Sequence, residues 1–87
     1  MVSELFTQKA DAVSHMKKRP NDDELLELYG LYKQATIGDN TTERPGLFDF
    51  KKKYKWDAWD KLKGLSQEEA EQKYIELADE LIAKYDN

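Results

Sequence analysis

Apolar residues recur at three- and four-residue steps in four separate blocks of this chain, and helix-stopping residues stand between the blocks. The first block runs from about Ser3 to Met16. Ser3 can cap it, and Phe6, Ala10 and Val13 fall at i, i+4 and i+7. Lys17-Lys18-Arg19 suits the negative end of a helix dipole, and Pro20 stops the helix. The second block spans about Asp22 to Ile37, opens on Asn21 with Glu24 in capping-box spacing, and closes at Gly38. Leu25, Leu28, Tyr29, Tyr32 and Ala35 or Thr36 form its stripe, while Leu26, Gly30 and Lys33 lie on a neighbouring face. Gly30 is small enough there to admit a partner helix or a ligand. The third block begins near Phe50 and ends near Leu62, with Trp56, Trp59 and Leu62 at three-residue steps before Lys63-Gly64. The fourth starts on Ser66-Gln67-Glu68-Glu69, a capping box by spacing and type, and continues through Ala70, Tyr74, Leu77, Leu81 and Tyr85.

No alternating strand pattern competes, so the pattern predicts an all-α four-helix bundle occupying residues 1–87 as one domain. Short joins at Pro20-Asn21 and Gly64-Leu65 make antiparallel neighbours of helices one and two, and of three and four. The stretch between Ile37 and Phe50 is different. At ~3.3 Å per residue it reaches roughly 40 Å, whereas the second helix is only about 23 Å long. Such a loop permits up-down-down-up, and it equally permits up-down-up-down. Its length marks it as a segment that covers or shapes something.

Charge changes the picture. The 87 residues carry a formal net charge of -4, which argues against a nucleic-acid binder. Six lysines between Lys51 and Lys63 stand against Asp57 and Asp60, a local +4 that leaves -8 for the rest. A compact basic patch on an acidic body suits a small polyanion, although a solvated lysine face has the same composition. No stretch is long and apolar enough to span a bilayer, and the N-terminus Met1-Val2-Ser3-Glu4 does not resemble a signal peptide. With no cysteine, a reducing cytoplasmic setting is expected.

Catalytic chemistry finds little to work with. Without Cys, and with His15 alone as an imidazole, no nucleophile–base pair can be assembled. No spacing suits zinc or calcium, and no glycine-rich phosphate loop occurs. We therefore expect no catalytic residue, no metal and no cofactor. The best binding constellation is Tyr29, Tyr32 and Lys33, which share a helix surface at i, i+3 and i+4. Two phenol rings beside an ammonium suit a planar base and a phosphate. Lys55, with Lys51 one turn before it, offers a second positive wall, and Tyr74 a third aromatic face. The same tyrosines also read as core-edge residues with their hydroxyls in water.

The blocks Tyr29-Gly30-Leu31-Tyr32-Lys33-Gln34-Ala35-Thr36-Ile37-Gly38-Asp39, Glu43-Arg44-Pro45-Gly46 and Lys55-Trp56-Asp57-Ala58-Trp59 resemble the acyl-CoA-binding protein family, in its short free-standing cytosolic form of a fungal type. The resemblance covers Phe6 to Tyr85, including the loop length and the Leu62-Lys63-Gly64-Leu65-Ser66 connection. It implies an up-down-down-up bundle whose second and third helices run parallel, joined by a long overhand loop. It also implies a non-catalytic carrier and pool-former for medium- and long-chain fatty acyl-CoA. Such a carrier is monomeric, cytoplasmic and in transient contact with enzymes that use the thioester. By the same resemblance, Tyr29, Lys33 and Lys55 grip the 3′-phosphate of the CoA ribose, Tyr32 packs on adenine, and Tyr74 lines the head group with Lys51 nearby. Leu25 and Leu26 match positions of the acyl groove, and Phe6 and Ala10 help close the site. One departure stands out: Ser14 occupies a position where many members carry a lysine, which weakens phosphate contact there. The alternative is a helical protein-interaction module using the same Tyr and Trp positions.

Overall fold

A computed structural model describes residues 2–85. It contains four helices, α1 (Glu4–Ser14), α2 (Asp22–Thr36), α3 (Phe50–Asp60) and α4 (Gln67–Tyr85), and no strand among the described residues. The caps expected from sequence form. Ser3 Oγ accepts from the Phe6 amide at 3.2 Å, Asn21 and Glu24 make a reciprocal capping box, and Ser66 Oγ accepts from the Glu69 amide at 3.1 Å. Asp49 caps α3 by accepting from the Lys52 amide at 3.4 Å, a cap that the apolar pattern does not reveal. Helix α1 stops at Ser14 rather than Met16, and α3 at Asp60 rather than Leu62. Both lose their last residues to looser turns, with His15 and Leu62 donating to carbonyls three residues back. Gly38 and Gly64 terminate helices at φ +98° and +95°, a left-handed conformation that side-chain-bearing residues rarely adopt.

Inter-helix contacts fix the topology. From α1 to α4, Ser3 meets Glu71, Phe6 meets Tyr74 and Lys9 meets Asp79, so the two run parallel. From α2 to α4, Glu24 meets Tyr85, Tyr32 meets Tyr74, and the Ala35 carbonyl accepts from Gln67, so these run antiparallel. From α2 to α3, Tyr29 meets Lys55 and Lys33 meets Trp59, which is a parallel pair. The bundle is up-down-down-up, and the alternative left open by loop length is excluded; the short join does not make packed neighbours of α3 and α4, because α2 lies between them and packs on both.

The apolar core lies among α1, α2 and α4, built on Phe6, Leu28, Leu31, Ala35, Ala70, Tyr74, Ile75, Ala78 and Leu81. On α2 the buried stripe is Leu28, Leu31 and Ala35, with Gln34 beside it, whereas Tyr29 is half-buried and Tyr32 is 42% exposed. The stripe drawn from sequence was therefore rotated, because the tyrosines serve another face. Helix α3 buries only Ala58 and Trp59 and approaches α2 where Gly30 lies; a Cβ on Gly30 would run into the Ala58 carbonyl.

The returning loop holds α3 by polar ties. Asp39 Oδ1 accepts from Gln34 Nε2 at 2.9 Å and from the Gly64 amide at 2.8 Å, and these two hydrogen bonds keep its carboxyl below the usual range. Trp59 Nε1 donates to the Gly38 carbonyl at 2.8 Å, and Trp56 Nε1 donates to Thr42 Oγ1 at 2.9 Å. Arg44 forks onto both oxygens of Asp57, at 3.0 and 2.9 Å. At the opposite end Glu24 joins α2 to α4, accepting from Tyr85 Oη, from Lys84 Nζ at 2.9 Å and from the Asn21 amide at 2.9 Å.

Two outcomes follow for stability. Alanine at Gly30 improves helix propensity by about 1 kcal/mol, but it must push α3 away. We expect Gly30→Ala to lose about 1–3 kcal/mol net, seen as a lower urea midpoint at unchanged m-value. The Tyr85 hydroxyl, Lys84 and the Asn21 amide hold the Glu24 carboxyl at about 2, against an ordinary 4.5. A depressed carboxyl stabilises the fold above its unfolded value and loses that contribution on protonation. Stability should therefore fall from pH 4.5 toward about 2, and more steeply in the wild type than in Glu24→Gln, as read by urea titrations across that range.

Candidate functional site

Helices α2 and α3 present two adjoining concavities that share a wall. One is a cleft of about 390 Å³ with Leu25, Leu26 and Tyr54 as its apolar lining and Arg19, Lys51 and Lys55 as its cations. The other, about 270 Å³, lies beneath the returning loop and gathers Lys33, Lys52, Lys55, Trp56 and Trp59. Tyr29 and Lys55 line both. The parallel course of α3 makes this sharing possible, because each step along α2 is matched by a step in the same direction along α3.

The two central cations are held in an unusual way. Lys55 Nζ lies 5.3 Å from the centroid of the Tyr29 ring, and Lys33 Nζ lies 5.4 Å from that of Trp59. Several other basic side chains rest on carboxylates, as Lys9 does on Asp79, Arg44 on Asp57 and Lys84 on Glu24. An aromatic face orients an ammonium through its quadrupole, for ~0.5–1 kcal/mol at an exposed site, without cancelling its charge. Lys33 and Lys55 therefore stand positioned against rings rather than against carboxylates.

A second aromatic group lies on the α1–α4 side. Phe6 stacks on Tyr32 with centroids 5.6 Å apart and an interplanar angle of 26°, and Tyr74 touches both at 4.8 and 6.0 Å. Tyr32 thus has one face backed by rings while the remainder is open. Phe6 is 1% and Tyr74 5% exposed, so they form the wall behind Tyr32 rather than an open lining. Burial, with Tyr32 as a lesser contributor, pushes the Tyr74 phenol up to about 12.

Tyr29, Lys33, Lys51, Lys55, Leu25 and Leu26 are thus brought together as the sequence suggested, and Tyr32, Tyr74 and Phe6 form a connected neighbour group. Ala10 packs on the edge of the core. Ser14 ends α1 with its hydroxyl donated to the Asp11 carbonyl at 2.7 Å, turned to its own helix rather than to the tyrosines. Sequence reasoning missed Arg19, which it assigned only to a helix end. Its guanidinium reaches the mouth of the apolar cleft, paired with Asp22 at 3.2 Å. Tyr54 of α3 flanks the cleft as well. A larger concavity, about 690 Å³, lies among α2, the end of α3 and α4, where leucines are mixed with glutamates and lysines. That lining gives it no preference for one sign of ligand. Chemically, the α2–α3 face offers two uncancelled cations, an open phenol face backed by rings, and an apolar trough running away from them. Such a face suits one molecule with an anionic aromatic head and a hydrocarbon tail.

Comparison with known proteins gives the family. The family model described as "Acyl CoA binding protein" matches residues 3–78. An acyl-CoA-binding protein of Saccharomyces cerevisiae is 62% identical over 85 residues, covering 98% of each chain. Among solved structures, the crystal structure of ACBP from Moniliophthora perniciosa aligns with a TM-score of 0.91 at 42% identity, covering 100% of this chain and 86% of that one. The solution structure of the yeast protein aligns at 0.79 with 60% identity, covering 99% and 100%.

A phenol whose ionisation is raised in the fold stabilises the native state below its unfolded value and loses that advantage as pH climbs. For Tyr74 the window runs from 10.0 to about 12. Tyr74→Phe, which keeps the ring packing, should show a shallower alkaline loss of stability than the wild type when unfolding is followed by circular dichroism.

Proposed function

The chain belongs to the acyl-CoA-binding protein family, and from that premise we infer how it works as an acyl-CoA-binding carrier. The observation that carries the assignment of roles is the wall that Tyr29 and Lys55 share between the cation-lined hollow and the apolar cleft. A CoA thioester has the same division: phosphates and a base at one end, an alkyl chain at the other.

In this reading Lys33 and Lys55, oriented by their aromatic rests, meet the 3′-phosphate together with the Tyr29 hydroxyl. Charge-assisted hydrogen bonds of this kind contribute about 1.5–3 kcal/mol each. Tyr32 stacks on adenine, stiffened from behind by Phe6 and Tyr74. Arg19 and Lys51 sit at the cleft and meet the remaining phosphates, which compensates for the lysine that Ser14 replaces. The acyl chain lies along Leu25 and Leu26. At about 0.8 kcal/mol per buried methylene, a long tail gains roughly 10 kcal/mol gross, before the cost of ordering it. Medium chains gain less and bind more weakly. No bond chemistry is assigned to the site. The protein works as a monomer in the cytoplasm, keeping a pool of thioester and handing it to the enzymes that use it.

Calorimetry with palmitoyl-CoA, free CoA and palmitate tests this reading. Tight 1:1 binding should occur for the thioester alone, with the ligand recovered intact by mass spectrometry; turnover by the purified chain would replace a carrier with an enzyme. Lys33→Glu and Lys55→Glu should each weaken palmitoyl-CoA binding about 10–100-fold at unchanged helicity. Normal titrations of both variants would refute the assignment of the phosphate site.

A further inference from the structure

The loop entering α3 ends in a tip with no packing role. Leu47, Phe48 and Phe50 are 70%, 92% and 57% exposed, and Tyr54, one turn on, is 55% exposed. Singly exposed apolar residues are ordinary, but a contiguous group on a small domain marks a contact surface. The tip is also charged in a particular way. Lys51, Lys52 and Lys53 follow directly, Lys53 Nζ lies 5.5 Å from the Phe50 ring centroid, and Asp49 is the acidic residue among them. Beyond this segment the chain is acidic, so the basic apolar tip is a local reversal of sign.

Position gives the tip its meaning. Because α2 and α3 run parallel, the first turns of both helices lie at one end of the bundle. Lys51 and Tyr54 accordingly line the apolar cleft together with Leu25 and Leu26. The exposed tip therefore stands beside the end of the cleft assigned to the acyl chain.

We propose that Leu47, Phe48 and Phe50 insert into the headgroup region of an anionic lipid bilayer while the adjoining lysines contact its phosphates. Docking in this way opens the acyl end of the cleft toward the hydrocarbon. This placement of the tip against the acyl chain rests on the carrier reading; the adsorption itself does not. Apolar side chains with flanking lysines are the composition that interfacial membrane binding uses, and lysines near an anionic surface add an attraction that salt screens. The acidic body turns away from the same surface, which orients the molecule.

Co-sedimentation with vesicles of phosphatidylcholine, with and without phosphatidylserine, tests the proposal. The wild type should partition to the mixed vesicles, less to phosphatidylcholine alone, and less again in high salt. Phe48→Ser combined with Leu47→Ser should reduce partitioning about tenfold, and Lys53→Glu should reduce it on mixed vesicles only. All variants should retain their helicity and their affinity for palmitoyl-CoA in vesicle-free solution. Failure of the wild type to bind palmitoyl-CoA in solution strikes the carrier reading alone, since adsorption is measured without that ligand. Equal partitioning of the Phe48→Ser, Leu47→Ser variant and the wild type overturns the docking proposal. So does a concentration-dependent dimer in sedimentation velocity that the double variant abolishes, because the tip would then serve a second copy of the chain.

Discussion

Helix α3 can approach α2 closely because Gly30 offers no side chain where the Ala58 carbonyl passes. Functional geometry depends on this approach. It sets Lys55 against the Tyr29 ring and Lys33 against Trp59, and it makes the floor of one hollow continuous with that of its neighbour. A side chain at Gly30 would part the two helices along their seam. The glycine lowers helix propensity at that position, and the close contact is what the lower propensity makes possible.

Two different kinds of glue hold the molecule. Helices α1, α2 and α4 share a conventional apolar core, and no residue of α3 belongs to it. Helix α3 is polar along most of its length and buries little beyond Ala58 and Trp59. Directional bonds hold it instead: two indole N–H groups on loop oxygens, the Arg44 fork on Asp57, and Asp39 bridging the end of α2 to Gly64. Arg44 and Asp57 move each other's titration outward, the carboxyl down and the guanidinium up, as expected of a pair that favours both charges. The consequence is functional. An apolar α3 would bury its surface against α2 and fill the trough; a polar one held by its ends leaves the trough open.

Much of this was legible in the chain. Helix starts and the end of α2 were the clearest, because Ser3, Asn21, Ser66 and Gly38 act on their immediate neighbours and need no knowledge of the rest of the fold. The direction of α3 was not legible from loop length, since a segment able to reach back is also able not to; the family blocks supplied it. The face of α2 was misread because Tyr29 and Tyr32 have the same apolar spacing as core residues, and only the partner helix decides which stripe is covered. Leu31 and Gln34 took the buried places instead. Gln34 could not have been found by hydropathy, for it is buried through hydrogen bonds to Asp39 and the Leu65 carbonyl. Arg19 was hidden by its position after a helix, where a basic residue already has an explanation.

A carrier must bind firmly and still let go, and the way this site stores its cations meets both demands. Had Lys33 and Lys55 been paired with carboxylates, an arriving phosphate would have to displace an ion partner, and departure would be driven by its return. Left in water alone, each flexible ammonium would lose rotamer freedom on binding, at up to ~2 kcal/mol for a side chain of this type. Resting on Tyr29 and Trp59, the two ammonium groups are partly ordered beforehand and retain their charge. On the proposed assignment, part of the entropic cost of gripping a phosphate is thereby met during folding, while the rings, being neutral, offer the ligand no anionic competitor. The weak cation–π rest thus acts as preorganisation, and its weakness is what allows the exchange to reverse.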